Sequence, residues 1–175
     1  LPIEFFKTQR LITGNAPIQE TFTSSGTTGM VQSKHYVTDV KLYEESYQKA
    51  FHLFYGKVED YCILALLPSY LERDGSSLIY MANDLIKQSK HPESGFYLHN
   101  YQELLLKIQQ LEKKKQKTIL LGVTYSLLDI AELYVNGNYP ALQHTIIMET
   151  GGMKGKRKEM IREELHSILC TAFGV

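Results

Sequence analysis

Three runs of the sequence each set three or more apolar residues in a row with no polar alternation between them: Tyr61-Cys62-Ile63-Leu64-Ala65-Leu66-Leu67, Thr118-Ile119-Leu120-Leu121-Gly122-Val123 and His144-Thr145-Ile146-Ile147-Met148-Glu149. Side chains of a strand point alternately to its two faces, so a strand that is apolar throughout must be covered on both. Stretches of helix length separate these runs, as a right-handed crossover between parallel neighbours requires. The expected fold class is therefore α/β: a layered, mostly parallel sheet flanked by helices, in a single domain over residues 1–175. A hydrophobic content of 43% over 175 residues is enough for such a core.

Local signals fill in the rest. Residues 30–37 are strand-like and lead through Thr38 or Asp39, both good N-caps, into a helix with Tyr43, Tyr47, Phe51 and Phe54 on one stripe and Gly56 at its end. Pro68 stops the first apolar run. Residues 76–88 read as a helix with Leu78, Ala82 and Leu85 inward, and Gly95-Phe96-Tyr97-Leu98 as a short strand. Asn100 and Glu103 have capping-box spacing ahead of Tyr101, Leu104, Leu105, Ile108 and Leu111. The run Glu112-Lys113-Lys114-Lys115-Gln116-Lys117 is the solvated end of that helix, its cations near the negative end of the dipole, rather than a phosphate patch. Thr124 is expected to cap a helix carrying Leu127, Leu128, Ala131 and Leu133, broken at Asn136-Gly137-Asn138. A last helix sets Ile161, Leu165, Ile168 and Leu169 on one side.

Charge and composition remove several function classes. Nineteen basic and nineteen acidic residues cancel, so no whole-molecule field draws the chain to nucleic acid or an anionic membrane, and an anion must be bound locally. Cys62 and Cys170 form no CxxC pair, and the six histidines show no HxxxH or CxxH spacing. A reduced, cytoplasmic protein without a metal-ligand set is expected. No apolar run nears the roughly 20 residues of a membrane span, and no signal-like pattern opens the chain. Glu72, Asp74 and His35 share no triad or paired-carboxylate pattern, which argues against a general acid-base hydrolase.

The chemistry is expected in Thr23-Ser24-Ser25-Gly26-Thr27-Thr28-Gly29, where every position is Ser, Thr or Gly. Glycines let successive amides turn toward one point, and small hydroxyls add donors without bulk, a combination suited to phosphate oxygens. There is no GxxxxGK[ST] and no GxGxxG after a strand, so the usual P-loop and Rossmann motifs are absent. Downstream, the third apolar run enters Thr150-Gly151-Gly152-Met153-Lys154. The first string closely resembles the phosphate-binding loop of the adenylate-forming superfamily, which includes acyl-CoA synthetases. The second resembles that family's glycine pair at a strand end, bordering the adenine and acyl pockets. With Leu1-Pro2-Ile3-Glu4-Phe5-Phe6-Lys7, the Gly-Gly-x-Lys form is similar to the acyl-protein synthetase (LuxE-like) branch, with phenylacetate-CoA ligases as more distant relatives. The likeness spans nearly the whole chain, and only the first loop is highly specific.

The resemblance implies ATP-dependent activation of a carboxylic acid, a fatty acid by preference, as an acyl-adenylate, followed by transfer to a thiol, with ATP and Mg²⁺ required and coenzyme A a candidate acceptor. Thr23, Ser24, Ser25, Gly26, Thr27, Thr28 and Gly29 would cradle phosphates, and Lys34 would stand in for the lysine of the Pro-Lys that usually follows the last glycine. Gly151, Gly152 and Met153 would flank adenine and acyl chain. Thr27, Thr28 and Lys154 would act in catalysis, and Tyr70 and Thr124 would line the substrate pocket. The family's downstream Tyr-Gly-x-Thr-Glu motif, its ribose-binding Asp and its C-terminal lid with a Lys are missing, and the expectation is a piece of a longer protein, inactive by itself. Partners would be ATP, the acid and an acyl-accepting or acyl-donating protein, with no nucleic acid and no integral membrane association. Two alternatives stay open: a phenylacetate-type acyl-CoA ligase, and a non-catalytic nucleotide-binding module. Both cysteines are expected to be inert small hydrophobes, with the acceptor thiol elsewhere.

Overall fold

The structure is a computed structural model and describes residues 1–24, 31–68, 75–153 and 155–175. Its contacts cluster into two compact units, one formed by Leu1–Val58 and Tyr70–Asp84, the other by Glu59–Ser69 and Leu85–Val175. The chain is α/β, with the parallel sheet in the second unit.

The second unit is built on β3 (Cys62–Leu66), β4 (Gly95–Tyr97), β5 (Thr118–Gly122) and β6 (Thr145–Glu149), in the order β4-β3-β5-β6 with every neighbouring pair parallel. All five residues of β3 and all five of β5 are buried, which is why neither run alternates. β6 is an edge strand instead of a third core strand: Ile146 is 38% exposed, and among the described residues β6 pairs with β5 alone.

Helices α4 (Tyr101–Lys113), α5 (Thr124–Asn136) and α6 (Arg162–Phe173) belong to the same unit. α4 buries Leu104, Leu105, Ile108 and Leu111 at the spacing read from the sequence. Its Asn100 cap differs from a capping box: the side chain makes no cap bond, and Nδ2 donates to Glu103 Oε2 at 2.6 Å. α6 buries Leu165, Leu169 and Phe173, while Ile161 precedes the helix at 67% exposure and Ile168 is 39% exposed. Steps of four residues carry the buried stripe from 165 through 169 to 173, which turns Ile168 outward. Tyr134 of α5 meets Phe173 edge-on, 5.1 Å between centroids.

The lysine run after α4 is solvated, with Lys113, Lys114, Lys115 and Lys117 exposed. Glu112, at the head of that run, turns the other way. Its carboxylate accepts from Gln143 N at 2.9 Å, His144 N at 3.0 Å and Thr145 Oγ1 at 2.6 Å, holding the entry to β6.

The first unit holds α1 (Phe5–Thr8), an antiparallel pair β1 (Glu20–Thr23) and β2 (Lys34–Val37), α2 (Val40–Tyr55), and the first part of α3 (Ser77–Ser89), the division falling inside α3. β2 is shorter than the strand read over residues 30–37. Asp39 caps α2 by accepting from Lys41 N at 3.1 Å, and Gly56 ends it at φ +85. The stripe of α2 runs Tyr47, Phe51, Tyr55, with Phe51 and Tyr55 rings 5.2 Å apart. Phe54 lies off it and is 75% exposed. Phe22 of β1 packs edge-on against Tyr43 and Tyr80, and Tyr47 donates to Asp84 Oδ2 at 2.6 Å. Leu78 of α3 is half-buried, while Ala82 and Leu85 are buried.

Glu112→Ala removes the acceptor of two strand-entry amides and one hydroxyl at once. Hydrogen bonds to a charged group contribute about 1.5–3 kcal/mol each at most, and water can reach part of this site. We expect a loss of about 1–3 kcal/mol in urea unfolding, with faster amide exchange at Gln143 and His144 before the rest of the sheet. A variant as stable as the parent would remove Glu112 from this role.

Candidate functional site

In parallel α/β sheets ligands are taken up beyond the carboxyl ends of the strands, where helix N-termini and connecting loops gather. Here the register lines those ends up: Leu66 faces Tyr97 on one side and Gly122 on the other, and Gly122 faces Glu149. Helix α5 starts at Thr124, directly after β5, and the loop 150–161 starts directly after β6.

Glu149 joins the two. Its Oε1 accepts from Thr124 Oγ1 and from Gly151 N, the latter at 2.6 Å. Thr150 reinforces the junction, its N and Oγ1 both donating to Gly122 O at 3.0 and 3.2 Å. The backbone then turns through two left-handed residues, Gly151 at φ +82 and Gly152 at φ +102. Space around Gly151 is open, so it is the backbone angle that calls for glycine. At Gly122 the reason is the reverse: an added Cβ would lie 2.7 Å from Leu127 Cγ, so β5 ends where α5 packs against its backbone.

Thr124 is not the N-cap expected from its hydroxyl. Val123 occupies that position with no side-chain cap, and Thr124 is the first helical residue, its hydroxyl used by Glu149. The first amides of α5 have no acceptor within the helix, and the positive end of its dipole faces the strand ends. Thr124, Tyr125 and Ser126 are all buried.

Past the glycines, Met153 is 3% exposed and its carbonyl accepts from Lys156 N at 2.8 Å. Arg157 then ties the loop back to α5: Nε and Nη2 donate to Asp129 Oδ1 at 2.9 and 2.5 Å, and Nη1 to Glu132 Oε1 at 2.6 Å. The bond to Glu132, with Asp129 beside it, holds the guanidinium above its usual range, and Arg157 holds the Glu132 carboxyl below the usual carboxylate range.

Of the residues proposed from sequence, Thr124 and Gly151 are brought together through Glu149, with Gly152 and the buried Met153 following in the chain. In the first unit, Thr23, Ser24 and Lys34 gather at the neck of the β1–β2 hairpin. Thr23 is paired with Lys34, Ser24 N donates to Ser33 O at 3.0 Å, and Ser24 Oγ accepts from Ser33 N at 3.0 Å. Thr23 N donates to Gly75 O at 2.8 Å. Ser25, Gly26, Thr27, Thr28 and Gly29, together with Tyr70 and Lys154, lie outside the described residues. Among the described residues no group of three or more His, Cys, Asp or Glu could hold a metal ion, and no helix is long and apolar enough to cross a membrane.

Glu149 and Arg157 are not among the residues expected from sequence. The signal for Glu149 was present, a lone carboxylate ending an apolar strand immediately before a glycine pair. For Arg157 there was none, since its partners Asp129 and Glu132 are more than twenty residues away on another element.

Gly151→Ala forces a Cβ into a left-handed conformation, which costs about 1–2 kcal/mol. Gly95→Ala, at a glycine with open space and no positive φ, is the control and should stay within about 0.5 kcal/mol of the parent. Equal Tm values for the two variants would mean that the turn does not need its left-handed residue.

The Glu132 pair gives a second test, with its sign set by the depressed carboxyl. Its contribution is present above the ordinary carboxylate pKa near 4.5 and is lost as pH falls through the lower folded value. The stability difference between the parent and Glu132→Gln should therefore shrink as pH falls from 6 toward about 3, a difference independent of pH ruling out the ion pair as its source. Comparison of the chain with protein-family models, with curated proteins and with solved structures finds no match.

Proposed function

We propose that this chain is the nucleotide-handling part of an ATP-dependent enzyme that activates a carboxylic acid, a fatty acid by preference, as an acyl-adenylate and passes the acyl group to a thiol. The observation that carries the reading is the left-handed Gly151-Gly152 turn at the carboxyl edge of a parallel sheet, braced by Glu149 beside the N-terminus of α5. Its support from sequence is the string Thr23-Ser24-Ser25-Gly26-Thr27-Thr28-Gly29 and its likeness to the phosphate loop of adenylate-forming enzymes.

In the first step a carboxylate oxygen attacks the α-phosphorus of ATP, a new P–O bond forms, and pyrophosphate leaves with the electrons of the broken one. Carboxylate and triphosphate repel each other, so oriented donors must neutralise the phosphate oxygens as charge shifts. Ser25, Gly26, Thr27, Thr28 and Gly29 take that role for the β- and γ-phosphates, with Thr23, Ser24 and Lys34 at the hairpin neck fixing the ends of the loop. Gly151, Gly152 and Met153 offer a flat backbone edge to the adenine and acyl groups, and Thr124 is held toward that edge by Glu149. Lys154 and Tyr70 keep the roles the resemblance gives them, a phosphate or carboxylate contact and a wall of the acyl pocket. Mg²⁺ would supply further charge neutralisation on the phosphates, and no described residue is assigned to it.

A second reading is nucleotide binding without turnover. A phenylacetate-type ligase would differ in requiring coenzyme A as acceptor.

Isothermal titration of ATP into the protein and into a Thr27→Ala, Thr28→Ala double variant tests the reading, together with ATP-pyrophosphate exchange by the full-length protein over a panel of carboxylic acids. Losing two hydroxyl contacts to charged phosphate should weaken binding about tenfold or more. Equal affinities would remove the loop from the mechanism, and tight binding without exchange for any acid would leave the non-catalytic reading.

A further inference from the structure

Away from the glycine turn, α6 carries a thiol and an imidazole one helical turn apart. Cys170 Sγ lies 3.6 Å from His166 Nε2 and 3.9 Å from Nδ1, and Cys170 is a free, partly exposed cysteine. Both residues line a recess of about 440 Å³ between α6 and β6, whose walls include Ile147, Leu165 and Leu169, with Arg162 and Glu149 as its charged groups. Recesses of that size take small molecules. Glu149 Oε1 accepts from Thr124 and Gly151, and Arg162 supplies a guanidinium to the recess wall that an anionic group can meet.

We propose that Cys170 and His166 form a thiol–disulfide exchange site for low-molecular-weight disulfides that combine an apolar body with a carboxylate. The Cys170 proton passes to the near ring nitrogen of His166, and Sγ attacks one sulfur of the disulfide. The new S–S bond forms as the old one breaks, and the expelled sulfur leaves as a thiolate and takes up the proton. Cys170 is oxidised to the mixed disulfide and the departing half is reduced to a thiol, so atoms and electrons balance without another oxidant. The apolar walls hold the body of the reagent, and Arg162 its carboxylate. This inference does not depend on the proposed nucleotide chemistry.

Cys62 provides an internal contrast. It is fully buried in β3, its Sγ within 3.8 Å of Ser94 Oγ, and burial pushes its thiol up to about 11. It should stay silent in the folded protein.

The experiment follows the reaction of the folded protein with 5,5′-dithiobis(2-nitrobenzoate) by released chromophore and intact mass. One equivalent should react, and Cys170→Ser should abolish it. His166→Gln, at an exposed helix position with circular dichroism as a check on folding, should slow the reaction about tenfold or more. A comparison that needs no variant uses cystamine, small and cationic. The rate ratio of the aromatic to the cationic disulfide should exceed that of free cysteine about tenfold or more, the size of a modest differential contact. Reaction at Cys62 in the folded protein, an unchanged rate in His166→Gln, or a reagent ratio equal to that of free cysteine would each overturn the proposal.

Discussion

Parallel pairing of β3 with β5, and of β5 with β6, sets the level at which every later feature of the second unit sits. The pairs Cys62–Thr118 and Thr118–Thr145 begin the ladders, and Leu66–Gly122 and Gly122–Glu149 end them. A slip of one residue along β6 would turn each of its side chains to the opposite face and move Glu149 away from Gly122. What opposes the slip is burial of β3 and β5 on both faces, each fully buried Leu or Ile contributing about 1.5–3 kcal/mol. Glu112 adds a polar lock at the entry of β6 through Gln143, His144 and Thr145. Once the register is fixed, a carboxylate at the strand end falls beside the first hydroxyl of α5 and the first amide of the glycine turn.

The parts of this fold that were legible in the sequence are those decided by local pattern. Unbroken apolar runs identify β3 and β5, and the three- and four-residue spacing of Leu104, Leu105, Ile108 and Leu111 identifies α4. What escaped was decided by neighbours. Like β5, β6 carries three consecutive apolar residues, yet Ile146 is exposed because among the described residues β6 has one strand partner, which composition does not encode. β1 was not anticipated because Glu20-Thr21-Phe22-Thr23 has one apolar residue, and its stability comes from pairing with β2 and from Phe22 among Tyr43 and Tyr80. Thr124 looked like a cap because Thr often is one, whereas its hydroxyl is spent on Glu149.

The same division holds for the candidate site. Gly151 and Gly152 could be picked out because a glycine pair after a strand advertises a backbone conformation, and both residues adopt positive φ. Glu149 and Arg157 carry no such mark, since their roles exist only across elements: strand to helix for one, loop to helix for the other. At Cys170 the sequence shows a cysteine on an amphipathic helix, the setting of an inert small hydrophobe. The four-residue step from His166 was visible in the sequence, but nothing there indicates that the face carrying both residues borders a recess and not a packed neighbour.

That recess and the glycine turn meet in one residue. Glu149 braces the turn through one carboxylate oxygen and at the same time forms part of the wall of the space lined by His166 and Cys170. Both features lie on β6, which among the described residues pairs with β5 alone: its end enters the left-handed turn, and Ile146, Ile147 and Glu149 line the recess together with residues of α6. α6 in turn is anchored by Leu165, Leu169 and Phe173, the last packed on Tyr134, so its buried stripe is held while the neighbouring His166 and Cys170 stay accessible. An edge strand is thus a compromise between core and surface. It is covered enough to hold a carboxylate in register, and open enough to leave room for chemistry at its end and along its side.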